Sequence, residues 1–145
     1  MIIYLATDHA GFNLKEKIKQ FLTELGYETQ DFGAFSFEPT DDYPDFVKPA
    51  AEAVAKDPEN SRAIVLGGSG QGEAMVANRY KGVRAAVLDK YDADIIKLSR
   101  EHNNANVLSL GARFLKEEEA LSAVKLWLET PFTGEERHKR RIAKF

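Results

Sequence analysis

Apolar residues along this chain fall into short unbroken runs separated by stretches where they recur every three or four positions. These are the periods of a buried strand and of an amphipathic helix. Residues 2–7, from Ile2 to Thr7, predict a buried strand. Leu14, Ile18, Phe21, Leu22 and Leu25 then share one helical face, and Gly26 is placed to end that helix. Residues 27–32 predict a second strand. A helix follows from Asp42-Tyr43-Pro44, with Asp42 or Tyr43 near the cap, Pro44 in the first turn, and Val47, Ala50, Ala51 and Val54 facing inward. Ala63-Ile64-Val65-Leu66 is a short, wholly apolar strand, and the pattern repeats: a helix near 72–80, a strand at 83–88, a helix at 92–101, a strand at 106–110 and a helix at 116–129.

Five strand–helix units with continuous apolar strands predict an α/β fold, a parallel sheet covered on both faces. Right-handed crossovers make it a Rossmann-like three-layer sandwich, with flavodoxin-like strand order 2-1-3-4-5 expected. The length of 145 residues suits one core, so residues 1–145 are read as a single domain. Residues 132–145 are left over. They are short and basic and begin after Pro131, so they are expected to reach across a surface onto a partner subunit.

Composition narrows the function by exclusion. A net charge of -3 and a pI near 5.7 argue against general affinity for nucleic acid or an anionic membrane. No apolar run approaches a bilayer span, and the first residues already read as a strand without a basic leader, so no signal peptide is expected. Cysteine is absent, which removes disulfides, thiolate metal sites and a cysteine nucleophile, and fits a reducing compartment; cytoplasm is the expectation. No histidine–carboxylate ligand cluster is evident in the sequence, so neither metal nor cofactor is expected.

In a doubly wound sheet, ligands bind beyond the carboxyl ends of the strands where the strand order reverses, between strands 1 and 3. Those two ends carry Thr7-Asp8-His9-Ala10-Gly11 and Gly67-Gly68-Ser69-Gly70-Gln71-Gly72-Glu73. The glycine-rich loop offers clustered backbone N–H groups at a helix start, which favours an anion or oxyanion. It is neither a Walker loop, lacking Gly-Lys-Ser/Thr, nor the dinucleotide fingerprint, whose third glycine would fall on Glu73. A tight turn would explain the glycines, a capping box Glu73, and a helix cap Asp8. Those readings leave unexplained why a carboxylate, an imidazole, a hydroxyl and free amides converge on one crevice. Arg137 and Arg141, four apart on one helical face, are expected with Arg113 to hold a phosphate.

Asp8-His9-Ala10-Gly11-Phe12, Asp42-Tyr43-Pro44-Asp45-Phe46, Gly68-Ser69-Gly70, Ser99-Arg100-Glu101-His102-Asn103, Gly111-Ala112-Arg113 and Arg137-His138-Lys139-Arg140-Arg141 occur in that order. Together they resemble the ribose-5-phosphate isomerase B / galactose-6-phosphate isomerase family over essentially the whole chain. Many members carry a cysteine base just before the Gly-Thr/Ser-Gly loop, where this chain has Gly67; the match here is to the cysteine-less branch that uses a glutamate just after it. The stretch between the loop and His102 is about two residues longer than usual in the family.

The resemblance implies an aldose–ketose isomerase working through a cis-enediolate, with ribose 5-phosphate as first substrate. Six-carbon aldose phosphates, such as allose or galactose 6-phosphate, and a tetrulose phosphate are alternatives. It implies Glu73 as base, Ser69 with the amides around Gly70 and Gly72 as oxyanion site beside Asn103, and Asp8 with His102 as ring openers. Arg113, Arg137, Arg141 and His9 would grip the phosphate, Tyr43 and Gly68 would line the sugar, and a homodimer would share its sites between subunits. Two rivals remain: a non-catalytic phosphosugar-binding module, and a phosphorylation-receiver domain. The receiver is disfavoured because the third strand ends in glycines and serine instead of an acceptor aspartate.

Overall fold

The computed structural model describes residues 1–145, and four of its five strands are apolar runs; the second is polar, Glu28-Thr29-Gln30-Asp31, and corrects the expectation of continuous apolar strands. The strands are β1 (Ile2–Thr7), β2 (Glu28–Asp31), β3 (Ser61–Gly67), β4 (Ala85–Leu88) and β5 (Val107–Gly111). The helices are α1 (Phe12–Glu24), α2 (Tyr43–Lys56), α3 (Gln71–Ala77), α4 (Ala93–Glu101), α5 (Glu117–Glu129) and α6 (Glu136–Ile142), with a 3-10 turn at His9–Gly11. Local chemistry sets their ends. Gly26, at φ +82°, stops α1; Pro44 opens α2; and the Asp92 carboxylate caps α4 by accepting from the Asp94 and Ile95 amides.

All five strands are parallel, in the order β2-β1-β3-β5-β4, which corrects the expected 2-1-3-4-5. Burial explains the exchange of the last two strands. Every residue of β5 is buried, whereas Ala85, Ala86 and Val87 of β4 are half-exposed, so β5 takes the inner place and β4 the edge. The crossovers follow. β3 to β4 advances past a gap and leaves α3 beside α2. β4 to β5 steps back, so right-handedness places α4 on the opposite face with α1 and α5.

Two cores result. Ile18 and Leu22 of α1, Ile96 of α4, and Val124 and Trp127 of α5 pack on one face of the sheet; Val47, Ala51 and Val54 of α2 and Ala77 of α3 pack on the other. Lys15 brings a charge into the interior. It is fully buried, and its Nζ donates to Asp31 Oδ1 at 2.8 Å, Asp31 Oδ2 at 2.7 Å and the Ala34 carbonyl at 2.8 Å, tying α1 to the end of β2.

The C-terminal segment is helical and seated on its own chain. Thr133 donates its amide and hydroxyl to the Glu101 carbonyl at 3.3 and 2.8 Å, and the buried His138 ring stacks on His102 at 4.2 Å. Arg137 and Arg141 project from α6 and are exposed.

Candidate active site

The crevice lies beyond the paired carboxyl ends of β1 and β3. β1 ends at Thr7, whose hydroxyl donates to the Leu66 carbonyl at 2.9 Å and ties the two strand ends together. Asp8 follows, buried, with Oδ1 accepting the Ala10 amide at 2.9 Å. It is the cap that its position suggests, and it also lines a cavity of about 490 Å³ with His9, Tyr43, Gly68, Ser69, Gly72, Glu73 and Arg113. Most of the predicted site therefore converges.

The glycine loop positions the rest. Gly70, at φ +77°, turns the chain from β3 into α3, and its carbonyl accepts the buried Ser109 hydroxyl at 2.6 Å. Ser69 Oγ accepts the Gln71 amide at 3.3 Å, which leaves its own hydroxyl proton free to donate. The amides of the first turn of α3, Gly72 among them, have no intrahelical acceptor and so suit a developing negative oxygen. Tyr43 closes over this turn: a β-carbon on Gly72 would sit 2.4 Å from its hydroxyl.

Glu73 is buried in the first turn of α3, without the capping box that would make it a purely structural residue. Its carboxylate turns back towards the strand end. A β-carbon on Gly67 would sit 1.8 Å from Glu73 Oε1, so the absence of a side chain at Gly67 makes the space this carboxylate occupies. Burial pushes the Glu73 pKa up; its own backbone amide opposes this, and the charge of Asp8 adds to it. A carboxylate held above its ordinary range in a cleft has the character of a proton acceptor.

Arg113 reaches the crevice because of the corrected strand order. With β5 beside β3, the Arg113 amide donates to the Gly68 carbonyl at 3.1 Å, and the side chain lies along the glycine loop. Had β4 lain next to β3, Asp89 at its end would have taken that place.

The fold makes a histidine–carboxylate group that the sequence did not reveal. Ligand atoms of Asp8, His9 and Asp41 lie within 4.8 Å of one another. Asp41 stands 32 residues from His9 and arrives on the loop after β2, so no short motif announces it. Its only local signal is a second aspartate before Tyr43-Pro44, where Asp42 or Tyr43 is expected near the helix cap.

The remaining predicted residues do not enter this cavity. His102 ends α4 under the His138 ring, Asn103 lines a separate cavity of about 440 Å³ with Arg84 and Phe145, and Arg137 Nε donates to Glu135 Oε2 at 2.7 Å. Burial and the neighbouring His102 push the His138 pKa down. One chain thus carries two clusters, the strand-end cavity and a second group at the α4–α6 junction.

The family model for ribose/galactose isomerases matches residues 3–145. The chain belongs to that family. Among its ribose/galactose isomerase relatives, the ribose-5-phosphate isomerase B of Mycolicibacterium paratuberculosis is 44% identical over 142 residues, 98% of this chain and 87% of that protein. The crystal structure of the Mycoplasma genitalium ribose-5-phosphate isomerase B with bound ribulose 5-phosphate superposes with a TM-score of 0.94. It shares 38% identity and covers 99% of this chain and 92% of that one. The Clostridium thermocellum enzyme superposes with a TM-score of 0.92 at 44% identity, covering 99% and 94%. No helix of the chain is long and apolar enough to cross a membrane.

Proposed function

We propose that the protein interconverts ribose 5-phosphate and ribulose 5-phosphate through a cis-enediolate, without metal or cofactor. The observation that carries this reading is the buried Glu73 carboxylate at the strand ends, beside Asp8, Ser69 and Arg113, in a chain of the ribose/galactose isomerase family.

Asp8 and His102 open the sugar ring, one taking the proton of the anomeric hydroxyl while the other protonates the ring oxygen. Glu73 takes the C2 proton of the open aldose. The electron pair left on C2 forms the C1–C2 double bond, and the C1 oxygen gains the negative charge, held by Ser69 and the amides at Gly70 and Gly72 with Asn103. A proton passes from O2 to O1, and protonated Glu73 returns its own to C1. Arg113, Arg137, Arg141 and His9 hold the phosphate, while Tyr43 and Gly68 wall the sugar. The fixed end of the substrate keeps C1 and C2 in reach of one base.

The activity test is a screen of phosphorylated four-, five- and six-carbon sugars with excess EDTA present. The expected result is highest kcat/KM on ribose 5-phosphate. Binding without turnover would favour a phosphosugar-binding module, and a rate that needs an added divalent ion would contradict the metal-free chemistry.

The two clusters support a homodimer with composite sites, the second subunit supplying His102, Asn103, Arg137 and Arg141. Exposed Met75 of α3, beside the cavity, adds apolar surface for such a contact. Mixing is the direct check. Arg137→Ala is expected to raise KM strongly and Glu73→Gln to abolish most turnover. A mixed dimer of the two variants regains one intact site, so activity returns on mixing. No recovery between variants that exchange subunits would place the whole site in one chain.

A further inference from the structure

His9 is held in a way that phosphate binding alone does not explain. Asp41 Oδ1 accepts from the His9 backbone amide at 2.9 Å and lies 2.7 Å from His9 Nδ1. The Asp41 side chain is only 10% exposed, and its second oxygen is closed off from solvent without a hydrogen-bond partner. A buried carboxylate oxygen left unpartnered is costly, so this aspartate is committed to one neighbour. On its other side the His9 ring meets the edge of Phe37 at 6.1 Å. A carboxylate accepts only from an N–H, so the proton of neutral His9 sits on Nδ1. His9 Nε2 has no protein partner, and the residue lines the cavity.

We propose that Asp41 is a positioning residue that locks His9 in the Nδ1–H tautomer, so that Nε2 is presented to the substrate phosphate. The inference rests on the reading of His9 as a phosphate contact. A phosphate monoester loses its second proton near neutral pH, with a pKa of about 6. The monoanion can donate its P–O–H to Nε2, or pass that proton to it and accept N–H···O⁻ in return. Nδ1–H stays on Asp41 in both cases, and in the second the Asp41 carboxylate balances the imidazolium. The alternative Nε2–H tautomer would still donate to phosphate, but could not take a proton there and would leave Asp41 facing a lone pair.

The test combines ring ¹⁵N shifts of His9 with steady-state kinetics on ribose 5-phosphate. The chain has three histidines, so a His9→Ala spectrum assigns the signals. Wild type is expected to show the Nδ1–H tautomer. Asp41→Ala is expected to release it towards the Nε2–H form that an unconstrained histidine side chain prefers, raising KM about tenfold with kcat within about twofold. Asp41→Asn keeps an acceptor oxygen and is expected to restore the tautomer and most of the affinity. A wild-type His9 in the Nε2–H form overturns the inference, even if Asp41→Ala fails to fold. An unchanged KM in folded Asp41→Ala, with a raised KM in His9→Ala, overturns it and leaves the phosphate contact standing. An unchanged KM in His9→Ala removes the phosphate contact and the inference together.

Discussion

Glu73→Gln is expected to lower kcat for ribose 5-phosphate by roughly 10²–10⁴, with the fold and phosphosugar binding retained. The amide keeps the shape of the side chain but cannot accept the C2 proton. A hydroxamate mimic of the enediolate should still compete for the site, because the phosphate anchors are other residues. Stability gives a second reading of the same group. Burial raises the Glu73 pKa above 4.5 in the folded protein, so the folded state binds this proton more tightly than the unfolded chain. Wild-type stability therefore carries a penalty from this group that grows as pH rises from the ordinary carboxylate range through the raised value. Glutamine has no such penalty, and Glu73→Gln should unfold no earlier than wild type at neutral pH, with the gap closing on acidification. The acid limb of wild-type kcat/KM should likewise lie above 4.5. Near-normal turnover in folded Glu73→Gln protein would remove Glu73 as base and leave Asp8 as the next candidate.

Gly67→Ala is expected to cost about 10²-fold in kcat, although alanine brings neither charge nor polarity. Its β-carbon would sit 1.8 Å from Glu73 Oε1 and 2.1 Å from Cδ, so the carboxylate must leave its place. Displacing a reacting group by about 1 Å is enough for a loss of this order. Overpacking at the strand end should cost about 1–3 kcal/mol, which unfolding measurements would separate from the kinetic effect. Added to Glu73→Gln, Gly67→Ala should lower kcat little further, since both act through one carboxylate. Wild-type kcat in Gly67→Ala would show that the carboxylate does not depend on that space. The geometry also accounts for the glycine itself: a β-carbon at 67 and the Glu73 carboxylate would need the same volume.

Much of the architecture could be read from local patterns because local physics sets it. Ile2–Thr7, Ser61–Gly67 and Val107–Gly111 are apolar enough to be buried on both faces. The same holds for α1, whose Ile18 and Leu22 sit on one stripe, and for the glycine loop, where Gly70 at φ +77° turns the chain into α3. Motif residues adjacent in sequence, Asp8 with His9 and Ser69 with Glu73, reached the same cavity because each set hangs on one strand end.

Local pattern could not rank β4 against β5, since Ala85–Leu88 and Val107–Gly111 are both short and apolar. Only the packed sheet, which buries β5 fully and leaves β4 half-exposed at the edge, chooses between them, and that choice brings Arg113 to the glycine loop. Asp41 was beyond reach for a similar reason. Its contact with His9 spans 32 residues and exists only when the loop after β2 folds over the end of β1. The Gly67–Glu73 relation looks like two unrelated positions in the chain, and becomes one feature when the first turn of α3 swings the carboxylate back onto β3. Periodicity determines which residues are buried, because burial repeats with the backbone; which buried elements become neighbours is a competition among contacts distant in sequence, and it is settled only when the sheet closes.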